Sequence, residues 1–256
     1  TNWGMYRLMA YNRRHTGVDW HKGNHGGQLY YGKYVPRGRA MPLAVAIGMD
    51  PLSSFMAASH LKRGQSEADF AGALHREPVE LIKAETSDIM VPANAEIILE
   101  GEVLPDLRAA EGPHGEFPGY RNPIRNLPVF RVNAITYRNN PVLTMTCIGM
   151  PVEDSDICTQ LSAAVSIKRR LRQSGLPVKE VFLPPETASH LVIISLNSSS
   201  ANIIKQVENL IYAHGLGEVK TIVVDSDVDV FNLNEVIHAF ATKCHPQKGI
   251  RISEVN

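Results

Sequence analysis

The second half of the chain contains the stretch that decides its fold class: VKEVFL at 178–183, HLVIISL at 190–196, SSSANIIKQVENLIY at 198–212 and TIVVD at 221–225. The first, second and fourth segments are short apolar runs that predict strands. Residues 198–212 instead repeat apolar positions with the spacing of a helix. Helices and strands that alternate at this spacing predict an α/β layer with at least partly parallel strands.

Two further helices are predicted on either side of this stretch, at 154–174 and 233–242. The first is ended by Gly175, a residue that commonly stops helices. We therefore predict an α/β domain over residues 149–256. Its apolar helix faces suit a subunit interface, and the commonest outcome of such an interface is a homodimer.

The first half, residues 1–148, is rich in Gly, Pro and His and contains short strand-like runs separated by turns. Two short helices are predicted at 51–61 and 66–74, the second capped by Ser66. Many short strands with few helices predict a barrel or a compact α+β sheet domain. The predicted strands are Met41–Gly48, Val79–Ala84, Glu96–Val103, Phe130–Tyr137 and Val142–Cys147, the last two joined as a hairpin.

The composition excludes several classes of protein. Hydrophobic residues make up 44% of the 256 residues, which is enough for a core and excludes a disordered chain. Lys plus Arg number 26 and Asp plus Glu number 26, so no basic field favours nucleic acid or an anionic membrane. No apolar run has the length of a membrane span, and no signal peptide is evident.

Cysteine usage indicates a reducing compartment. The three cysteines, Cys147, Cys158 and Cys244, are far apart and lack CxxC spacing, so neither a disulfide framework nor a zinc site is indicated. We therefore expect a cytoplasmic protein. The chain begins at Thr1 inside dense, motif-like sequence, which predicts a fragment or part of a longer polypeptide.

A loop with two carboxylates is the densest polar cluster: EGPHGEFPGY at 111–120. Gly and Pro at this density exclude a regular helix, so the loop can bring Glu111 and Glu116 towards one pocket. Two close, partly buried carboxylates repel each other, which raises the pKa of at least one and favours a general acid. A surface loop with two solvated acids is an equally good interpretation of the spacing.

A second cluster opens the chain as TNWGMYR at 1–7. Arg7 lies in an apolar context, where it needs a partner, and its guanidinium suits bidentate binding of a carboxylate. A structural ion pair is the alternative for Arg7. Asn2 offers a carbonyl oxygen to a hard cation.

Three histidines, His15, His21 and His25, are crowded into eleven positions but form no HExxH motif. One histidine with an Asn and a Glu would suit an oxygen-rich site for manganese or magnesium. The alternative is that these histidines are structural residues of a Gly-rich loop.

The order of several motifs resembles that of the UbiD family of prenylated-flavin-dependent decarboxylases. The resemblance extends over essentially the whole chain. It implies an α+β protein in which a split β-barrel flavin-binding domain at 1–148 is followed by an α/β oligomerisation domain at 149–256. The motifs are TNWGMYR at 1–7, KAETSDIMVPANAEIILEG at 83–101, EGPHGEFPGY at 111–120, IGMPVEDSD at 148–156 and VVDSDVDVFNLNEVIHAFATKC at 223–244.

The resemblance also implies the cofactors. They are prenylated FMN, whose supplier is a flavin prenyltransferase, and a divalent metal, usually manganese, that binds the flavin phosphate, with potassium nearby. By position, Asn2, His25 and Glu67 match the metal ligands that bridge to the phosphate. Trp3 matches a residue whose backbone contacts potassium and the cofactor, and Arg7 matches a residue that also binds the cofactor.

The implied activity is a carboxy-lyase reaction: reversible, non-oxidative decarboxylation of an aromatic or α,β-unsaturated acid. Arg7 would bind the substrate carboxylate, Glu111 would pair with Arg7, and Glu116 would deliver the proton that replaces carbon dioxide. His114, between the two glutamates, stands where an aromatic or apolar residue is common in the family. It adds a titratable group beside Glu116.

Two other functions remain open from the sequence. One is an inactive fragment or structural subunit of such an enzyme that folds and self-associates as a homodimer or higher oligomer without turnover. The other is a metal-dependent hydrolase that uses Glu111 and Glu116, although no ligand-rich motif supports it.

Overall fold

The structure, a computed structural model, describes residues 3–20, 22–59, 61, 64–145, 149, 152–212 and 220–252. Backbone contacts divide these residues into two units. The first unit takes the described residues within 1–116 and 120–148, and the second takes those within 117–119 and 149–256. Each unit has its own sheet and its own apolar core.

The first unit is built on a long antiparallel hairpin. Its strands are β1 (Leu8–Ala10), β2 (His15–Val18), β3 (Met41–Ile47), β4 (Leu81–Lys83), β5 (Met90–Pro92), β6 (Ile97–Glu111) and β7 (Arg125–Tyr137). Five of them form one antiparallel sheet in the order β1-β2-β7-β6-β3, and β4 pairs with β5. Strands β6 and β7, of 15 and 13 residues, form the centre of the large sheet.

Aromatic side chains hold the core of the first unit together. Trp20, Tyr30 and Phe130 are fully buried, and the Trp20 ring lies 5.6 Å from Tyr30 and 6.0 Å from Tyr6 between centroids. Burial of such large rings supplies much of the stability of a core. This cluster anchors the short segment around Tyr6 against the sheet.

Three helices lie in the first unit: α1 (His25–Leu29), α2 (Pro51–Ala57) and α3 (Glu67–His75). Helix α1 continues through a π-helical turn at Tyr30–Tyr34. The Ser66 side chain accepts a hydrogen bond from the Asp69 amide and so caps α3, as the sequence predicts. This cap sets the first residue of α3 as Glu67.

The second unit is an α/β layer. Its sheet contains β8 (Val178–Phe182), β9 (Leu191–Leu196) and β10 (Lys220–Asp225) in the order β10-β9-β8, with β9 and β10 parallel and β8 antiparallel to β9. The helices are α4 (Asp154–Gln173), α5 (Ala201–Tyr212) and α6 (Leu233–Lys243). Aliphatic side chains of β9 are almost fully buried because helices and sheet close around that strand.

The predicted mixture of helices and sheets is confirmed, and one strand prediction is wrong. Residues 142–145 are not in a strand, and Cys147 lies outside the described residues. The hairpin partner of β7 is β6, which precedes it, and not a segment that follows it. Strand β6 also continues beyond Val103 to Glu111, because a bulge between Val103 and Arg108 interrupts its alternation without ending it.

None of the described helices is both long enough and apolar enough to cross a membrane.

Candidate active site

Strand pairing in the first unit brings three charged positions to one end of the sheet. Arg7 immediately precedes β1, Asp19 follows β2, and Glu111 is the last residue of β6. Because β2 pairs with β1 on one side and with β7 on the other, and β7 pairs with β6, these ends are neighbours in space. The register therefore joins residues that are about a hundred positions apart in sequence.

The Arg7 guanidinium contacts three carboxylates. Its Nε donates to Oε1 of Glu111 at 3.1 Å, and its Nη1 donates to both oxygens of Glu116 at 2.8 and 2.9 Å. Its Nη2 donates to Oδ2 of Asp19 at 3.2 Å. We call Arg7, Asp19, Glu111 and Glu116 the arginine cluster. Every nitrogen of the guanidinium donates to an acidic group, so the orientation of the Arg7 side chain is fixed.

Burial strengthens the electrostatics of the arginine cluster. The side chain of Glu111 is 1% exposed and that of Arg7 is 20% exposed. Burial by itself lowers the pKa of Arg7, but its hydrogen bonds to Glu116 and Glu111 and the charges of Glu116 and Asp19 outweigh it. The pKa is therefore held above its ordinary value. One guanidinium therefore serves three carboxyl groups.

The second oxygen of Glu111 lies against the backbone of β2. A Cβ atom on Gly17 would lie 2.3 Å from Glu111 Oε2 and 2.6 Å from the Tyr11 hydroxyl, so only glycine leaves room for both groups. Among the described residues, neither Glu111 Oε2 nor the Tyr11 hydroxyl has a hydrogen-bond partner. Burial, and then the charge of Glu111, raises the pKa of Tyr11.

The loop between β6 and β7 holds Glu116 from the opposite side. The side-chain nitrogen of Asn122, Nδ2, donates to Oε2 of Glu116 at 3.1 Å and to Nε2 of His114 at 2.9 Å. Backbone hydrogen bonds from Glu116 to Tyr120 and from Asn122 to His114 close the loop on itself. Glu116 is therefore fixed in this structure between a guanidinium and an amide.

Two of the predicted metal ligands, His25 and Glu67, lie at the starts of α1 and α3 in the first unit. Glu67 is 2% exposed, and its Oε2 accepts a hydrogen bond from the Trp3 backbone at 3.2 Å. Tyr6 lies beside both Glu67 and α1. Its hydroxyl accepts a hydrogen bond from the Gly26 amide of α1 at 2.9 Å. Burial raises the pKa of Tyr6, the Gly26 hydrogen bond opposes the rise, and the charge of Glu67 adds to it.

Glu67 brings a buried carboxylate, the type of oxygen ligand that hard divalent cations prefer, to this region. In the described part of the chain no Lys, Arg or His forms an ion pair with Glu67, so a buried carboxylate faces this region without a described cation. His25 starts the helix whose next residue, Gly26, contacts Tyr6. Asn2 lies outside the described residues. The described residues contain no group of three or more His, Cys, Asp or Glu that could hold a metal. The predicted set contains only two residues of those kinds, His25 and Glu67, because its third member is Asn2.

Sequence reasoning missed three members of this region: Asp19, Tyr11 and Asn122. Asp19 follows a four-residue strand and Tyr11 lies in the turn after a three-residue strand, and neither strand has a readable pattern. Asn122 lies six residues after Glu116, in the same Gly- and Pro-rich loop, where the spacing of polar residues was the available signal.

Comparison with known families matches both halves of the chain. Residues 1–151 match the 3-octaprenyl-4-hydroxybenzoate carboxy-lyase Rift-related domain, UbiD. Residues 157–255 match the 3-octaprenyl-4-hydroxybenzoate carboxy-lyase C-terminal domain, UbiD_C. Together the two domains account for nearly the whole chain.

Individual proteins are similar over the same range. A phenolic acid decarboxylase of Bacillus subtilis is 33% identical over 96% of this chain and 52% of its own length. A pyrrole-2-carboxylic acid decarboxylase of Pseudomonas aeruginosa is 32% identical over 96% of this chain and 51% of its own length. The chain therefore spans about half the length of the curated relatives it matches.

A solved structure is similar in three dimensions. It is an evolved dimeric form of the UbiD-class enzyme HmfF from Pelotomaculum thermopropionicum in complex with prFMN, with a TM-score of 0.85 and 31% identity. The match covers 96% of this chain and 56% of that chain.

Proposed function

The chain belongs to the UbiD family, and from that premise we propose that the full protein is a carboxy-lyase. The proposed reaction is the reversible, non-oxidative decarboxylation of an aromatic or α,β-unsaturated carboxylic acid with prenylated FMN. The observation that carries this proposal is the arginine cluster, in which one guanidinium contacts both glutamates of the 111–116 loop.

Arg7 is the proposed binding group for the substrate carboxylate. Its Nε is held by the buried Glu111, which fixes the plane of the guanidinium, while Nη1 and Nη2 serve the more exposed Glu116 and Asp19. An incoming carboxylate would take over Nη1, because that nitrogen already contacts both oxygens of a carboxylate that is less buried than Glu111. This exchange releases Glu116 from Arg7 as the substrate binds.

Glu116 is the proposed proton donor. Carbon dioxide leaves with both of its oxygens, and the electron pair of the broken carbon–carbon bond stays on the substrate carbon. When bound, prenylated FMN supplies the electron sink that stabilises this carbanion character, which no side chain provides. Glu116 then gives its proton to that carbon and returns to the carboxylate form, whose partner Arg7 lies within hydrogen-bond distance.

Asn2, His25 and Glu67 would hold a manganese ion, which would supply positive charge to the flavin phosphate, and the Trp3 backbone would contact potassium and the cofactor. The buried carboxylate of Glu67 and its bond to Trp3 support this assignment. We expect His25→Ala to lower bound manganese and bound flavin together. His15→Ala is the matched control, because the His15 ring is hydrogen-bonded to Asn12. This variant should lower neither bound manganese nor bound flavin. Undiminished binding of both in His25→Ala would contradict the assignment.

The proposed architecture is a split β-barrel cofactor domain at 1–148 and an oligomerisation domain at 149–256 that forms a homodimer or higher oligomer in the cytoplasm. A dimeric relative supports the oligomer. Supply of the cofactor by a flavin prenyltransferase is part of the same proposal, since the proposed cofactor is the prenylated form of FMN.

The test is to express the full-length protein together with a flavin prenyltransferase and to record its absorbance spectrum, cofactor mass and metal content. We expect bound prenylated FMN with one manganese per chain. The loaded protein should release carbon dioxide from at least one of 4-hydroxybenzoate, pyrrole-2-carboxylate and cinnamate. A folded, colourless protein without turnover would overturn the proposal in favour of an inactive structural subunit.

A further inference from the structure

We propose that His114 returns a proton to Glu116 between turnovers, with the side chain of Asn122 coupling the two groups. The inference rests on the proposed function, because each decarboxylation consumes one proton that Glu116 must recover. It assigns His114 and Asn122 to the reaction as a proton supplier and a positioning residue, respectively.

The orientation of the Asn122 amide is determined by the backbone. Its Oδ1 accepts a hydrogen bond from the His114 backbone amide at 3.2 Å. Its nitrogen must therefore face the other way, where Glu116 Oε2 lies at 3.1 Å and His114 Nε2 at 2.9 Å. Each of the two amide protons then has one acceptor.

This arrangement specifies the protonation state of His114. Because Asn122 donates to Nε2, that nitrogen carries no proton, and the neutral ring holds its proton on Nδ1. When Nε2 gains a proton, it can no longer accept from Asn122, so this contact must open. The carboxylate oxygen available to the new N–H is Glu116 Oε2, 3.8 Å away.

The loop keeps these groups together while leaving His114 in contact with solvent. The side chain of His114 is 24% exposed. The loop backbone is tied by a bridge between Gly115 and Arg121 and by the Glu116–Tyr120 hydrogen bond, so the ring needs only a small movement to reach Glu116. On its other side Glu116 contacts Arg7, which binds the substrate in the proposed reaction.

The proton transfer is balanced. Protonated His114 breaks its Nε2–H bond and gives the proton to Oε2 of Glu116, leaving a neutral ring and a carboxylic acid. Glu116 later breaks its O–H bond when the proton passes to the substrate carbon. The ring then takes its next proton from water.

The test compares the first turnover with steady-state turnover in the full-length, cofactor-loaded protein, with the acid of the panel that reacts fastest. The His114→Asn protein equilibrates with water before it meets the substrate, so its first turnover does not draw on the resupply path and should keep the wild-type rate. Later turnovers should be about tenfold slower, since an acid–base group has been removed from the resupply path. The time course of product formation in His114→Asn should therefore begin with a burst of one product molecule per active site. The wild type and the matched control His238→Asn, a histidine variant in the second unit, should show no burst.

A fall of both rates by the same factor in His114→Asn would overturn the inference, since it would indicate a structural role. Equal rates in variant and wild type would also overturn it. A wild-type protein without any decarboxylation would instead contradict the proposed function and remove the inference with it.

A second readout needs no turnover. In histidine-labelled wild-type protein without cofactor, nitrogen NMR should show neutral His114 with its proton on Nδ1 and Nε2 unprotonated. Asn122→Leu should weaken this preference because the donor to Nε2 is lost. A wild-type ring with its neutral proton on Nε2 would contradict the coupling through Asn122.

Discussion

Two glutamates on the same strand, β6, are both almost fully buried and serve different purposes. Glu100 is 2% exposed and Glu111 is 1% exposed. Glu100 lies in the first half of the strand, opposite Ala134 of β7, whereas Glu111 ends the strand beside the loop of Glu116. Burial and residue type are therefore the same, and the partners make the difference.

The carboxylate of Glu100 is saturated with hydrogen bonds. It accepts from the Glu85 amide at 3.0 Å, from the Thr86 amide at 2.7 Å and from the Thr86 hydroxyl at 2.7 Å. Burial favours the protonated form, yet these bonds from Thr86 and Glu85 outweigh it and hold the pKa of Glu100 below its ordinary value. A carboxylate with both oxygens occupied by a loop serves to fasten that loop.

Glu111 has one oxygen on Arg7 and the other without a partner among the described residues. It also shares its cation with two further acids, so the arginine cluster has more acceptors than donors. An incompletely satisfied buried carboxylate, rather than burial itself, therefore distinguishes the end of β6 that carries the proposed active site.

The largest effect is expected from Arg7→Met. It would leave the buried Glu111 without its cation and so lower the free energy of unfolding by about 3 kcal/mol, and it would abolish turnover because the carboxylate site is lost. Chemical denaturation and carbon dioxide release measure the two effects. Arg131→Met, which breaks an exposed pair with Glu102, should cost less than about 1 kcal/mol and leave turnover intact. Equal effects of both variants would contradict the special role of the arginine cluster.

Gly17→Ala should come next. A methyl group at this position would overlap Glu111 Oε2 and the Tyr11 hydroxyl, so we expect a loss of about 2 to 3 kcal/mol and weaker turnover as Glu111 is displaced. Gly32→Ala is the matched control, because a Cβ atom there meets nothing within 4 Å. Thermal or urea unfolding of the two variants measures the difference in stability. A Gly17→Ala protein as stable and active as Gly32→Ala would refute the close packing around Gly17.

Glu100→Gln tests the structural end of β6. The loss of charge-assisted hydrogen bonds should lower the free energy of unfolding by about 1 to 2 kcal/mol at neutral pH, with turnover retained. Because the folded-state pKa is lowered, the ionised carboxylate stabilises the fold above the unfolded-state pKa. That contribution is lost as pH falls through the folded-state value. Urea midpoints of variant and wild type should therefore converge in acid, and a constant difference down to low pH would be inconsistent with this account.

The smallest effect is expected from Tyr11→Phe. The hydroxyl has no described hydrogen-bond partner and lies near the Glu111 charge, so its removal should change stability by less than about 1 kcal/mol. Calorimetric unfolding measures this. A loss of several kcal/mol would mean that the hydroxyl supports Glu111 directly.

The sequence predicted most of the second unit, because its elements are local. The strand TIVVD and the helices α4, α5 and α6 follow from apolar periodicity within short windows, and the structure places them within a few residues of the predicted bounds. The cap at Ser66 was predictable for the same reason, since the capping side chain and the amide that donates to it lie three residues apart.

The first unit was harder to predict because its contacts are long-range. The bulge after Val103 conceals the second half of β6, and the sequence predicts a hairpin of 130–137 with 142–147 where the structure pairs β7 with β6. The glutamates of the loop and Arg7 were found from their motifs, whereas Asp19 and Asn122 depend on strand register and loop closure. Side chains recruited by such pairing have no local signal of their own.

The most direct test of the central claim is carbon dioxide release by the full-length, cofactor-loaded Glu116→Gln variant beside Glu100→Gln. We expect Glu116→Gln to retain the flavin. Its turnover rate should fall about a hundredfold or more, because a general acid has been removed. Glu100→Gln should keep most of its turnover and lose stability instead. Decarboxylation by Glu116→Gln at the wild-type rate would contradict the assignment of Glu116 as proton donor.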